Sequence, residues 1–156
     1  MIVLAIDPGN EHSAYVLHSP KKLVAHGKLT NEQMLARLAD ARAVASHLAI
    51  EMIASYGMPV GKEVFETCVW IGRFVQAWLG AGPHTFVYRR EVKLHLCNSS
   101  RAKDGNVRTA LLDRWGGKAT AVGKKASPGP LYGVSSDVWA ALGVAVTFAD
   151  RQRGAA

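Results

Sequence analysis

Cysteine is nearly absent from this 156-residue chain, and the two it has, Cys68 and Cys97, stand far apart. They match no metal-ligand spacing and no disulfide framework, so zinc ribbons and disulfide-stapled secreted scaffolds are poor templates. Free thiols in a reducing cytoplasm are the expectation. Long apolar runs are lacking too: the longest, residues 138–149, has 12 members where a helix needs roughly 20 to span a bilayer. No export signal precedes Ile2, so membrane insertion is not expected. Acid is scarce beside base, with 12 Asp and Glu against 19 Lys and Arg.

What is present suits one ordinary domain over residues 1–156, since 49% of the residues are apolar and 20% charged, enough to bury a core. The charge is unevenly placed. Residues 85–125 hold ten bases and three acids, whereas the remainder is neutral. A basic block beside a neutral remainder is the footprint of a polyanion partner, chiefly nucleic acid, although a solvated surface gives the same composition.

Three strands open the chain, over residues 2–7, 13–18 and 22–29, the first two joined by a short polar turn containing Gly9. Thr30 caps a helix that runs to about residue 43, with Met34, Leu35 and Leu38 on one face. Residues 46–53 (SHLAIEMI) read as a fourth strand, apolar on both faces except at Glu51. In the helix predicted over 61–79, Val64, Cys68, Ile71, Val75 and Trp78 trace one stripe, while Phe65, Trp70 and Phe74 lie off it. Either the second stripe, with Phe74, meets another protein chain or the helix is buried all round.

A fifth strand at 85–88 is followed by a helix near 90–97 and another near 106–115, which Asp104 is expected to cap. Residues 116–130, rich in Gly, Lys and Pro, are expected to form a mobile basic loop. The last helix starts near Ser135 or Ser136. The order βββαβαβα with extra helices predicts an α/β fold, a mixed five-stranded sheet with helices on both faces.

Three carboxylates stand at marked places: Asp7 ends the first strand, Glu51 lies in the fourth, and Asp137 is in the first turn of the last helix. If the two strands are neighbours and the helix points at them, the three converge, and like charges at short range require cations. Mg²⁺ or Mn²⁺ suits oxygen ligands. A pair of such ions roughly 3.5 to 4 Å apart stabilises both the entering and leaving oxygens of phosphoryl displacement, and beside a basic block the substrate is a nucleic-acid phosphodiester.

The stretch AIDPGNEHSAYVL, in which an Asp-Pro-Gly turn leads to Ser13, resembles the first-strand motif of RuvC-type Holliday junction resolvases. LAIEMI with the long helix after it resembles their second motif, and DVWAALGVAVTF their last. NSSRAKDGNVRTALLDRWG and the Gly/Lys loop look more like the compact phage-encoded members. The resemblance implies an RNase H-like fold, a homodimer, divalent metal, and paired nicking of branched DNA in the cytoplasm of a bacterial or phage-infected cell. One departure stands out. The family's last motif carries two metal-binding groups three residues apart; with Asp137 as the first, Ala140 takes the second place, and with Asp137 as the second, Val134 takes the first. Asp7, Glu51 and Asp137 then suffice as ligands, or a fourth comes from elsewhere, Asp104 being one candidate.

Arg101, Lys103, Lys124 and Lys125 are the expected phosphate contacts. His12 is read as solvent-exposed, and Trp139 as packed on the sheet although it could stack on a base. Two other functions remain compatible with these residues: an RNase H-like nuclease for RNA or hybrid duplexes, and an inactive nucleic-acid-binding relative.

Overall fold

The computed structural model describes residues 1–155. A meander opens it: β1 (Val3–Asp7), β2 (His12–His18) and β3 (Leu23–Thr30) pair antiparallel. Helix α1 (Asn31–Ala41) then carries the chain across one face to β4 (His47–Met52), which lies parallel to β1. Helix α2 (Lys62–Trp78) leads to β5 (His84–Tyr88), parallel to β4, so that the sheet order is β3-β2-β1-β4-β5. Six further elements follow: α3 (Arg89–Cys97), α4 (Asp104–Arg114), α5 (Lys118–Val122), the small hairpin of β6 (Gly123–Lys124) and β7 (Ser127–Pro128), and α6 (Val138–Ala155). Among the described residues no helix is long and apolar enough to cross a membrane.

Alternation along the strands divides the core between the two faces. Leu4, Ile6, Leu48 and Ile50 pack with Met34 and Leu38 of α1 and with Ile71, Phe74 and Trp78 of α2. Val3, Ala5, Ala14, Val16, Ala49 and Val87 point the other way, against α3, α4 and α6. Mixed pairing and helices on both faces are what the element order predicts. Thr30 caps α1 as expected, its hydroxyl accepting from the Gln33 amide while the Gln33 side chain accepts from the Thr30 amide.

Three local expectations are overturned. Phe74 is fully buried with Ile71 and Trp78, and the outward face of α2 instead carries Phe65 and Val69, 62% and 63% exposed. An arc as wide as this helix's can be turned by one residue without leaving the core empty, which is why the stripe was misread. Asp104 is the first residue of α4, not its cap; Lys103 holds the cap position, its amide donating to Asn106 Oδ1. Residues 116–130 are a built structure, since Cβ atoms at Gly123 and Gly129 would lie 2.4 Å and 2.3 Å from backbone oxygens. There glycine serves close backbone packing rather than mobility.

Candidate active site

Asp7 and Glu51 belong to adjacent parallel strands. Ile6 pairs with Ile50, so the next residue of each strand is a carboxylate, and both continue the row that faces α6. The two carboxyls stand close enough for each to shift the other's protonation. Burial pushes the Asp7 carboxyl up to about 9, helped by the charge of Glu51 and, further off, that of Asp137. Burial also raises Glu51, against the hydrogen bond from Asp7 and the nearby Arg89 guanidinium. A proton retained on Asp7 does what a cation would do, which is to let two half-buried carboxyls stand side by side.

Arg89 is the charge closest to this pair, its Nε 4.0 Å from Glu51 Oε1. It is also paired with Asp104, whose carboxyl is held below its ordinary value chiefly by the hydrogen bond from Arg89. A cation in the first turn of α3 opposes the helix dipole; the two carboxylates offset that cost. Asp137 lies just before α6, its carbonyl accepting from the Ala141 amide, and its carboxylate takes a 2.6 Å hydrogen bond from Lys28 Nζ. Among the described residues, no three Asp, Glu, His or Cys side chains close around one point. The donors are nonetheless hard oxygens on a rigid sheet end, and a buried carboxyl pair that must otherwise hold a proton fits a divalent ion.

The turn after Asp7 is braced from beneath. Asn31, the first residue of α1, is wholly buried; its Oδ1 accepts from Ser13 Oγ at 2.6 Å and its Nδ2 donates to the Gly9 carbonyl at 2.9 Å. The Gly9 amide donates to Ser13 Oγ, and the Asn31 amide to the Glu11 carbonyl. A Cβ on Gly9 would lie 2.3 Å from the His12 carbonyl oxygen, so the turn closes only with glycine there.

The chain overlays on a structure of Thermus thermophilus RuvC with a TM-score of 0.70 and 18% sequence identity, over 99% of this chain and 97% of the other. The fold is that of RuvC. A second match is T. thermophilus RuvC in complex with a Holliday junction substrate, with a TM-score of 0.64 and 20% identity, over 98% of this chain and 95% of that one. No protein-family profile matches the chain, and no curated protein sequence matches it. The RNase H-like architecture expected from the motifs is therefore present.

The second ligand position that the resemblance leads one to expect near Asp137 is filled by no ligating side chain in either register. Ala140 is half-buried on α6 and Val134 is buried, and neither side chain has an oxygen or nitrogen to offer. Asp104 reaches the site only through Arg89. Of the expected phosphate contacts, Arg101 and Lys103 lie exposed just ahead of α4, next in sequence to Asp104. Lys124 and Lys125 are exposed on and beside the β6–β7 hairpin, with no ion pair to any of the carboxylates. His12 is exposed, and Trp139 is buried beneath the Arg108 guanidinium.

Three residues at the site carried little sequence signal. Arg89 was one base among ten, Lys28 an ordinary strand lysine, and Asn31 an unremarkable neighbour of a cap. Beside Glu51, an open cleft of about 310 Å³ is lined by Tyr56, Arg89, Arg90, Lys93 and Ser100. A more enclosed cavity of about 360 Å³ lies around His18, Trp115 and Asp150 and includes none of the site's carboxylates.

Proposed function

We propose that this chain is a metal-dependent, structure-specific endonuclease that nicks branched DNA, four-way junctions included. The observation that carries the reading is the Asp7–Glu51 pair, two half-buried carboxyls brought together at one end of neighbouring strands in a RuvC fold. A fold-mate has been solved with a Holliday junction substrate, and the basic block supplies the complement to such a polyanion. Asp7 and Glu51 are the groups that would hold Mg²⁺ or Mn²⁺, with Asp137 beside them in contact with Lys28. The ion would neutralise the scissile phosphate and make water a competent nucleophile at neutral pH.

The protein's own share is positional. Strand pairing fixes the separation of Asp7 and Glu51, the Asn31–Ser13–Gly9 bonds hold the turn at Asp7, and Arg89 keeps Glu51 oriented. Arg90 and Lys93 line the cleft beside Glu51 and are suited to bind the phosphate backbone leading to it. The test is a labelled four-way junction with Mg²⁺ or Mn²⁺: paired nicks are expected, and binding without cleavage in either metal would overturn the reading.

Lys124 and Lys125, with Arg101 and Lys103, are assigned to the outer DNA track. Lys124→Ala with Lys125→Ala should lower junction affinity and reduce the slope of log K against log salt by roughly 1 to 2. An unchanged slope would take the hairpin out of the interface. A second copy of the chain is the proposed partner of the outer face of α2, where Phe65 and Val69 stand one helical turn apart in solvent. Sedimentation should give a two-chain mass that falls to one chain in Phe65→Glu; a one-chain mass for the parent protein at micromolar concentration would remove this contact. Free thiols at Cys68 and Cys97 suit a reducing cytoplasm.

A further inference from the structure

Strand register places one basic residue level with the catalytic pair. Asp7 is paired with Ala14, and Ala14 with Lys28. Paired residues of antiparallel strands project from the same face, so Lys28, Ala14, Asp7 and Glu51 form one rung facing α6. Ala14 is small and fully buried, so at this level no side chain rises between the carboxyl pair and the lysine stem. The Lys28 ammonium reaches Asp137 at 2.6 Å. Both partners are about half exposed, and an ion pair so open to water adds little to stability.

The same region is where the site is short of oxygen ligands. Ala140 and Val134 leave Asp137 as the only acid of its motif, and Asp137 is turned to Lys28 rather than to the pair. Arg89, the other nearby cation, is already engaged by Glu51 and Asp104.

We infer that Lys28 supplies the second positive charge of this site: one divalent ion per chain binds at Asp7 and Glu51, and the Lys28 ammonium, held by Asp137, lies against the scissile phosphate on the other side. This rests on the nuclease reading above. A fixed ammonium needs no second set of ligands, which accounts for a motif reduced to one acid. It stabilises charge that grows on the phosphate oxygens as the leaving oxygen departs, an interaction stronger in the transition state than in the bound substrate.

The experiment combines a binding count with kinetics on the full chain. Mn²⁺ titration followed by electron paramagnetic resonance should give one ion per chain; two ions per chain would overturn the inference. Lys28→Met should slow nicking at saturating junction by roughly 100-fold with KM within about threefold, its melting temperature unchanged, and Lys28→Arg should recover most of the loss. If the parent chain nicks junctions and Lys28→Met nicks them equally fast, the role of Lys28 is overturned and the nuclease reading stands. If the parent chain nicks no DNA in either metal, the nuclease reading falls and the role of Lys28 with it.

Discussion

Replacing Asp7 by Asn is expected to abolish junction nicking, by roughly 1,000-fold or more, and at the same time to raise the melting temperature in the absence of divalent ions. The two effects share one cause. Asp7 is half-buried beside Glu51, and its carboxyl is pushed up to about 9 while that of Glu51 is also raised. A carboxyl whose pKa is higher folded than unfolded keeps protons that the unfolded chain has released. Its contribution is thus complete below the unfolded value of about 4 and is lost as the pH climbs toward about 9.

An amide at position 7 carries no charge at any of these pH values and can still hydrogen-bond to Glu51. The gain in melting temperature over the parent chain should therefore widen from about pH 5 to about pH 8, where it corresponds to about 2 kcal/mol, or roughly 4 to 8 °C. Adding Mg²⁺ should reverse the order, because only the parent chain gains much from ion binding. Differential scanning fluorimetry at the two pH values checks this. A variant less stable than the parent by the same amount at both would show that Asp7 does not hold a raised pKa beside Glu51.

The second large effect is expected at Asn31, which touches no substrate. Asn31→Ala strands the Ser13 hydroxyl and the Gly9 carbonyl in a buried site and leaves a void where the amide stood. Such a loss costs roughly 2 to 4 kcal/mol, or about 4 to 16 °C in melting temperature for a chain of this size. The turn it braces begins at Asp7, so nicking by the folded variant should also fall by about 100-fold, the penalty for a misplaced reacting group. Ser13→Ala, which removes the hydroxyl but leaves the Asn31–Gly9 bond in place, should lose less on both measures. Parent-like melting and rate in Asn31→Ala would mean the turn is held by the sheet alone.

Position in the sheet explains which parts of this protein could be read in advance. Alternating and continuous apolar runs mark strands wherever they occur, so all five strands of the sheet and the helices on either face followed from pattern. Asp7 and Glu51 were conspicuous because a carboxylate inside an apolar strand is costly without a partner. The inward face of α2 was misassigned because its apolar arc exceeds a single stripe, and only contact with β4 and α1 selects Phe74 over Phe65. Caps and first-turn acids look alike in sequence, so Asp104 reads as a cap; the decisive fact is Arg89, 15 residues away.

The sequence by itself determined the five strands of the sheet, the helices α1 to α4 and α6, their order, and the two carboxylates whose desolvation demanded compensation, because each follows from local periodicity and the cost of desolvating charge. Only the tertiary structure decided what answers them. Strand register put Lys28 in line with Asp7, the packing of α1 slid Asn31 under the turn, and the junction of β5 with α3 brought Arg89 to Glu51. These are pairings between residues tens of positions apart, set by how strands align across a sheet, and no local pattern in the chain encodes them.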